Sequence, residues 1–147
     1  MTTTTTTNPA TIVVRRTIAA SPEELFDAWL DPESAAEIMR PGGGTPAEVT
    51  IDARVGGAFS ILMHGATKPH PHHGTYRVIE RPRKLVFTWI SESTGGKESV
   101  VTVEFKGTEG GTEVILTHAQ LPEAARDGHI KGWTDILGWL EALRGRR

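Results

Sequence analysis

From Ala47 onward the chain alternates apolar and polar residues as strands do, and only at its end does the period change to that of one long helix. Thr117-His118-Ala119-Gln120-Leu121-Pro122 closes the last strand. The segment holding Gly132-Trp133 and Ile136-Leu137-Gly138-Trp139-Leu140 then reads as an apolar helix with two tryptophans. Neither a one-sided sheet nor such a helix can bury its apolar face alone, so the helix must lie across the sheet. One helix on a curved sheet leaves a hollow between them. That hollow, more than any catalytic motif, points to function.

The residues before Ala47 supply a first strand and two short helices. Thr11 to Ala19 is β-branched and alternating, with Ile12, Val14 and Ile18 set against Arg15 and Thr17. Ser21 is a good N-cap, Pro22 suits a first helical turn and Glu24 completes a capping box. Asp31-Pro32-Glu33-Ser34 repeats that logic for a second short helix, which Pro41-Gly42-Gly43-Gly44 ends. The later strands are marked by Val49 and Ile51, by Phe59 to Met63, by Tyr76 and Val78, by Leu85 to Trp89, by Val101 to Phe105 and by Val114 to His118. Gly56-Gly57 and Gly110-Gly111 are turns, and the stretch from Gly65 to Gly74, rich in Gly, Pro and His, is expected to be a loop. The fold class is therefore α+β, with an antiparallel sheet of about seven strands wrapped around a C-terminal helix.

Period-two alternation assigns the faces. Glu48, Asp52, Thr88, Thr102, Glu104, Glu113 and Thr117 are expected to face water. Phe59, Ile61, Met63, Tyr76, Phe87, Trp89, Val103, Leu116 and His118 are expected to face the helix, together with Val49, Ile51, Val78, Leu85, Val101, Phe105 and Val114. Tyr76, the sole tyrosine, and His118 are the polar members of that apolar face.

A net charge of −2 offers no basic face for nucleic acid. No cysteine is present, which excludes disulfides and thiol chemistry and fits a cytoplasmic location. No apolar run approaches the ~20 residues of a membrane span. Residues 1–9 are expected to be a disordered Thr-rich tail rather than a signal peptide, and residues 10–147 a single domain. Arg144, Arg146 and Arg147 read as solvated charge at the helix end.

Several stretches together resemble a known family. Ser21-Pro22-Glu23-Glu24-Leu25-Phe26-Asp27-Ala28-Trp29 resembles the opening of the START-like, SRPBCC superfamily. Asp52-Ala53-Arg54-Val55-Gly56-Gly57-Ala58-Phe59, Gly74-Thr75-Tyr76, the run from Arg81 to Trp89, and Gly132-Trp133 resemble one branch of it. That branch contains bacterial proteins similar to the C-terminal domain of the activator of the heat-shock-protein-90 ATPase. The resemblance runs from about Ala10 to Leu143. It implies a helix-grip fold and an association with the stress response. The superfamily it points to holds lipid and hormone carriers as well as polyketide cyclases.

The expected function is binding of a small apolar or amphipathic molecule, with no cofactor. Phe59, Ile61, Met63, Tyr76, Phe87, Trp89, Val103, Leu116, His118, Trp133 and Leu137 are the expected ligand-binding residues. One alternative is a cyclase or hydro-lyase using the same hollow, with His118 or Tyr76 as acid or base. Another is an interaction protein, either a homodimer or a chaperone partner. His70, His72 and His73 are the candidates for a metal, although Pro69 and Pro71 hold the segment extended and place His73 opposite the other two. His118, buried on an apolar face, is expected to be neutral with a lowered pKa. No nucleophile elbow, zinc-protease motif, P-loop or dinucleotide fingerprint occurs.

Overall fold

The computed structural model describes residues 10–65 and 67–144. The expected Thr-rich tail and the last arginines, Arg146 and Arg147, lie outside the described residues. The elements are β1 (Ala10–Ile18), α1 (Pro22–Leu30), α2 (Pro32–Ile38), β2 (Glu48–Ile51), β3 (Ala58–His64), β4 (Pro69–Glu80), β5 (Lys84–Ser91), β6 (Ser99–Thr108), β7 (Gly111–Leu121) and α3 (Arg126–Arg144). The seven strands form one antiparallel sheet in the order β1-β7-β6-β5-β4-β3-β2. No helix among the described residues is long and apolar enough to cross a membrane.

The short helices begin where their capping residues dictate. Ser21 Oγ accepts the Glu24 N–H at 3.1 Å. The Asp31 carboxylate accepts both the Ser34 N–H at 3.1 Å and the Ser34 hydroxyl at 2.8 Å. Asp31 therefore ends α1 and starts α2 at one residue. α1 lays Phe26 and Trp29 on the sheet, where both rings meet Phe105 and Trp29 also meets Phe87.

α3 packs across β1 and β7, and its C-terminal half rests on α2. There the Trp139 Nε1–H donates to the Arg40 carbonyl at 3.0 Å, with the Arg40 guanidinium 4.0 Å above the same ring. Of the two helix tryptophans, Trp139 thus seals the short helices and Trp133 is left to the sheet. The predicted inner face is buried or half-buried, with Leu85, Val101, Val103, Val114 and Leu116 wholly enclosed. Val78 is the exception to that facing, because an irregularity in β4 after Tyr76 pairs it with Val86 and puts Ile79 opposite the enclosed Leu85 instead.

Two further expectations are corrected. The stretch from Gly65 to Gly74 is mostly strand, since β4 starts at Pro69 and pairs with β3 from Pro69↔His64 onward. Its first residues extend past β5, whose pairing starts only at His72↔Ser91. Pro69 and Pro71 therefore lie where β4 is an edge and break no bond to β5. Thr88, expected to face water, is buried. β4 passes close over β5 there: a Cβ on Gly74 would collide with the Thr88 carbonyl and with Phe59. The Thr88 side chain tucks under β4, and its Oγ1 accepts the Thr75 N–H at 2.8 Å.

Gly74 is thus a steric requirement of this close approach, next to the histidines of β4. Gly74→Ala should lower the free energy of unfolding by about 1–3 kcal/mol in urea titrations. Gly110→Ala, where a Cβ meets nothing within 4 Å, should change it by less than about 0.5 kcal/mol. Equal effects would refute the steric account.

Candidate functional site: a cavity beside the C-terminal helix

The apolar layer stops short where β3, β4 and β5 face the N-terminal half of α3, leaving a cavity of about 760 Å³. Trp89 of β5 and Trp133 of α3 form its floor, with ring centroids 4.9 Å apart. Met63, His64, His70 and His72 come from β3 and β4. α3 contributes one stripe, Gly128, His129, Gly132 and Ile136, spaced as one helix face. Pro41, the turn at Glu92 to Gly95 and the turn from Pro122 to Ala125 close the rim. The chain enters that last turn through Gln120, a non-glycine residue at φ 63°.

Beneath the floor runs a buried chain of hydrogen bonds. The Trp133 Nε1–H donates to His118 Nδ1 at 3.0 Å. An indole nitrogen can only donate, so Nδ1 is the accepting nitrogen and the imidazole hydrogen sits on Nε2. That Nε2–H donates to Ser99 Oγ at 2.8 Å, and the Ser99 hydroxyl donates to the Trp89 carbonyl at 2.6 Å. His118 and Ser99 are both 0% exposed. Burial, reinforced by the charge His129 would carry, pushes His118 down to about pKa 3.

This arrangement bears on chemistry. Ser99 and His118 touch as a nucleophile and base would. Yet the only lone pair of the imidazole is taken by Trp133, so His118 has nothing with which to accept the serine proton. Tyr76 is also away from the cavity. It packs against Phe59 and Phe87 around a void of about 10 Å³, and burial raises the pKa of its hydroxyl.

The cavity histidines are held differently. His72 Nδ1–H donates to the His70 carbonyl at 2.9 Å, and burial brings its pKa down to about 4. His129 Nδ1–H donates to the Ala125 carbonyl at 2.8 Å; burial again lowers its pKa, against the opposing pull of that bond. His64 Nε2 lies 3.2 Å from the Glu48 carboxylate. His70 lies over Gly65, where a Cβ would come within 2.6 Å of the imidazole. His73 is exposed on the opposite face of β4. Among the described residues no three His, Cys, Asp or Glu side chains are grouped to hold a metal ion.

Of the residues expected to bind a ligand, the structure brings Met63, Trp89 and Trp133 to the cavity. Phe59, Ile61, Tyr76 and Phe87 surround the small void instead. Val103, Leu116, His118 and Leu137 belong to solid core. His70 and His72, singled out for their spacing, do line the cavity. His129, Ile136 and Gly128 were not anticipated; the signal for them is their position four, three and five residues from Trp133.

An antiparallel sheet gripping a C-terminal helix, with a cavity between them, defines a START-like helix-grip protein. Within that class the chain belongs to the family described as Activator of Hsp90 ATPase homolog 1-like protein, which it matches over residues 19–145. A solved structure from Chromobacterium violaceum is 25% identical, covers 92% of this chain and 97% of its own, and superposes with a TM-score of 0.76. One from Rhodobacter sphaeroides is 21% identical, covering 92% of each chain at a TM-score of 0.79. CalU16 from Micromonospora echinospora is 26% identical, covering 88% of this chain and 73% of its own at a TM-score of 0.70. No curated protein matches the sequence.

The buried histidines make stability depend on pH. Both folded pKa values lie below the ordinary 6.5, so the unfolded chain binds more protons between them. The stability at stake is fully present above about pH 6.5 and is lost as pH falls toward 4 for His72 and 3 for His118. The slope is at most about 1.4 kcal/mol per pH unit for each histidine. His118→Gln can accept from Trp133 and donate to Ser99 without titrating. Urea unfolding between pH 7 and 4.5 should therefore show a shallower loss in that variant, and an unchanged slope would refute the assignment.

Proposed function

We propose that this protein binds a small apolar or amphipathic molecule in the cavity between the sheet and the N-terminal half of α3. The observation that carries this reading is the cavity itself. Its volume of about 760 Å³ falls within the ~300–1,000 Å³ of small-molecule sites. Its floor is two tryptophans, and Met63, Pro41 and Ile136 extend the apolar surface. An apolar guest would gain roughly 25 cal/mol for each Å² it withdraws from water.

What favours binding over the cyclase reading is the position of the two residues expected to act as acid or base. The candidate acid–base residues, His118 and Tyr76, are outside the cavity lining. His118 also has its accepting nitrogen engaged by Trp133.

The test uses glycines as entry-blocking positions that the fold tolerates. Gly128 has no neighbour within 4 Å of a built Cβ, and Gly132 meets only Pro41, at an ordinary 3.8 Å. Gly128→Leu/Gly132→Leu should fill the cavity while removing up to about 1 kcal/mol of helix penalty at each site. Nile red, an uncharged apolar dye, should bind the unaltered protein with a blue-shifted emission. The double variant should lose at least about tenfold in affinity with an unfolding midpoint equal or higher. Equal dye binding in both proteins would sink the proposal.

A further inference from the structure

We propose that the head group this cavity selects is a hydrogen-bond donor, so that its guest is an apolar amine or alcohol rather than a carboxylate. The inference rests on the binding function proposed above and specifies the chemistry of the guest.

Two imidazoles, His72 buried and His129 half-buried, line the cavity from different elements. His72, on β4, and His129, on α3, each turn Nδ1 back to a main-chain carbonyl of their own segment, at 2.9 and 2.8 Å. A carbonyl can only accept, so the hydrogen of each neutral ring is on Nδ1. The nitrogen at the far edge of each ring, Nε2, is then an acceptor. Both rings line the cavity, one from the sheet and one from the helix.

Few groups that would hold an anion stand free on the same walls. No lysine or arginine is among the described lining residues. The Trp133 Nε1–H is spent on His118. The Trp89 Nε1–H is buried and reaches no partner. Glu92, the lining carboxylate, is paired with Lys68 at 3.1 Å, and the His64 Nε2 faces Glu48. A carboxylate entering here would lose its hydration and meet acceptor lone pairs. A hydroxyl or ammonium would instead donate to them, and an ammonium would gain further from the two indole faces.

The test compares three guests with one eight-carbon chain: 1-octanol, octylammonium and octanoate, each displacing Nile red at pH 8. Octanol and octylammonium should bind at least about tenfold more tightly than octanoate. In His72→Leu/His129→Leu, shown to be folded by circular dichroism, the gap should shrink to threefold or less. If that variant does not fold, the three-guest comparison on the unaltered protein decides alone. Octanoate binding as tightly as the other two would overturn the donor preference while leaving apolar binding intact. A gap that survives in the double variant would overturn its assignment to these histidines. If neither Nile red nor any of the three guests binds, the binding function fails, and this inference with it.

Discussion

The geometry of this protein follows from a mismatch of widths. Strands lie about 4.8 Å apart, so a seven-stranded sheet is roughly 29 Å from edge strand to edge strand. A helix with its side chains is only about 10 Å across. α3 cannot cover such a sheet unaided. It lies over β1 and β7 and leans on α2, while α1 covers part of the middle with Phe26 and Trp29. The region toward β3, β4 and β5 receives only the flank of the helix. Trp133 reaches out to Trp89 there, and beyond that contact the cavity begins. The hollow is what remains when one helix serves a sheet too wide for it.

Much of the fold was legible because alternation is a direct image of a strand. Phe59-Ile61-Met63 and Val101-Val103-Phe105 face inward as their spacing requires, and the caps at Ser21 and Asp31 act through the hydrogen bonds that residue type predicts. The failures have local causes. Pro69 and Pro71 suggested a loop because proline usually forbids a central strand, and only the offset between β4 and β5 turns that stretch into an edge. Thr88 looked like a surface residue, but β4 passes so close at Gly74 and Thr75 that its side chain is covered. Alternation names the face on which a residue lies. It carries no information on how closely a neighbouring strand passes.

The same limit explains why the site was only partly legible. Pattern told which residues face the helix, so Met63, Trp89 and Trp133 stood beside Val103 and Leu116 with no means of separating them. What separates them is how far along the sheet the helix reaches, which depends on contacts such as Trp139 with Arg40 and belongs to tertiary packing. His129 illustrates the cost. It sits one helical turn before Trp133 and so shares its face, but a lone polar residue on an apolar stripe draws no notice until the opposite wall, with His72, is in place.

The hydrogen-bond chain beneath the cavity floor has a direction. It starts at an indole, which can only give a proton to a bond, and finishes at a main-chain carbonyl, which can only receive one. The two members between them, His118 and Ser99, could each face either way in isolation. Their orientation is imposed by the ends. The four groups thus behave as a one-way series that cannot be inverted by rotating any single member. In the native protein the imidazole is a rigid polar spacer joining α3 to β7, β6 and β5, and its capacity to exchange a proton becomes available only when the series is broken.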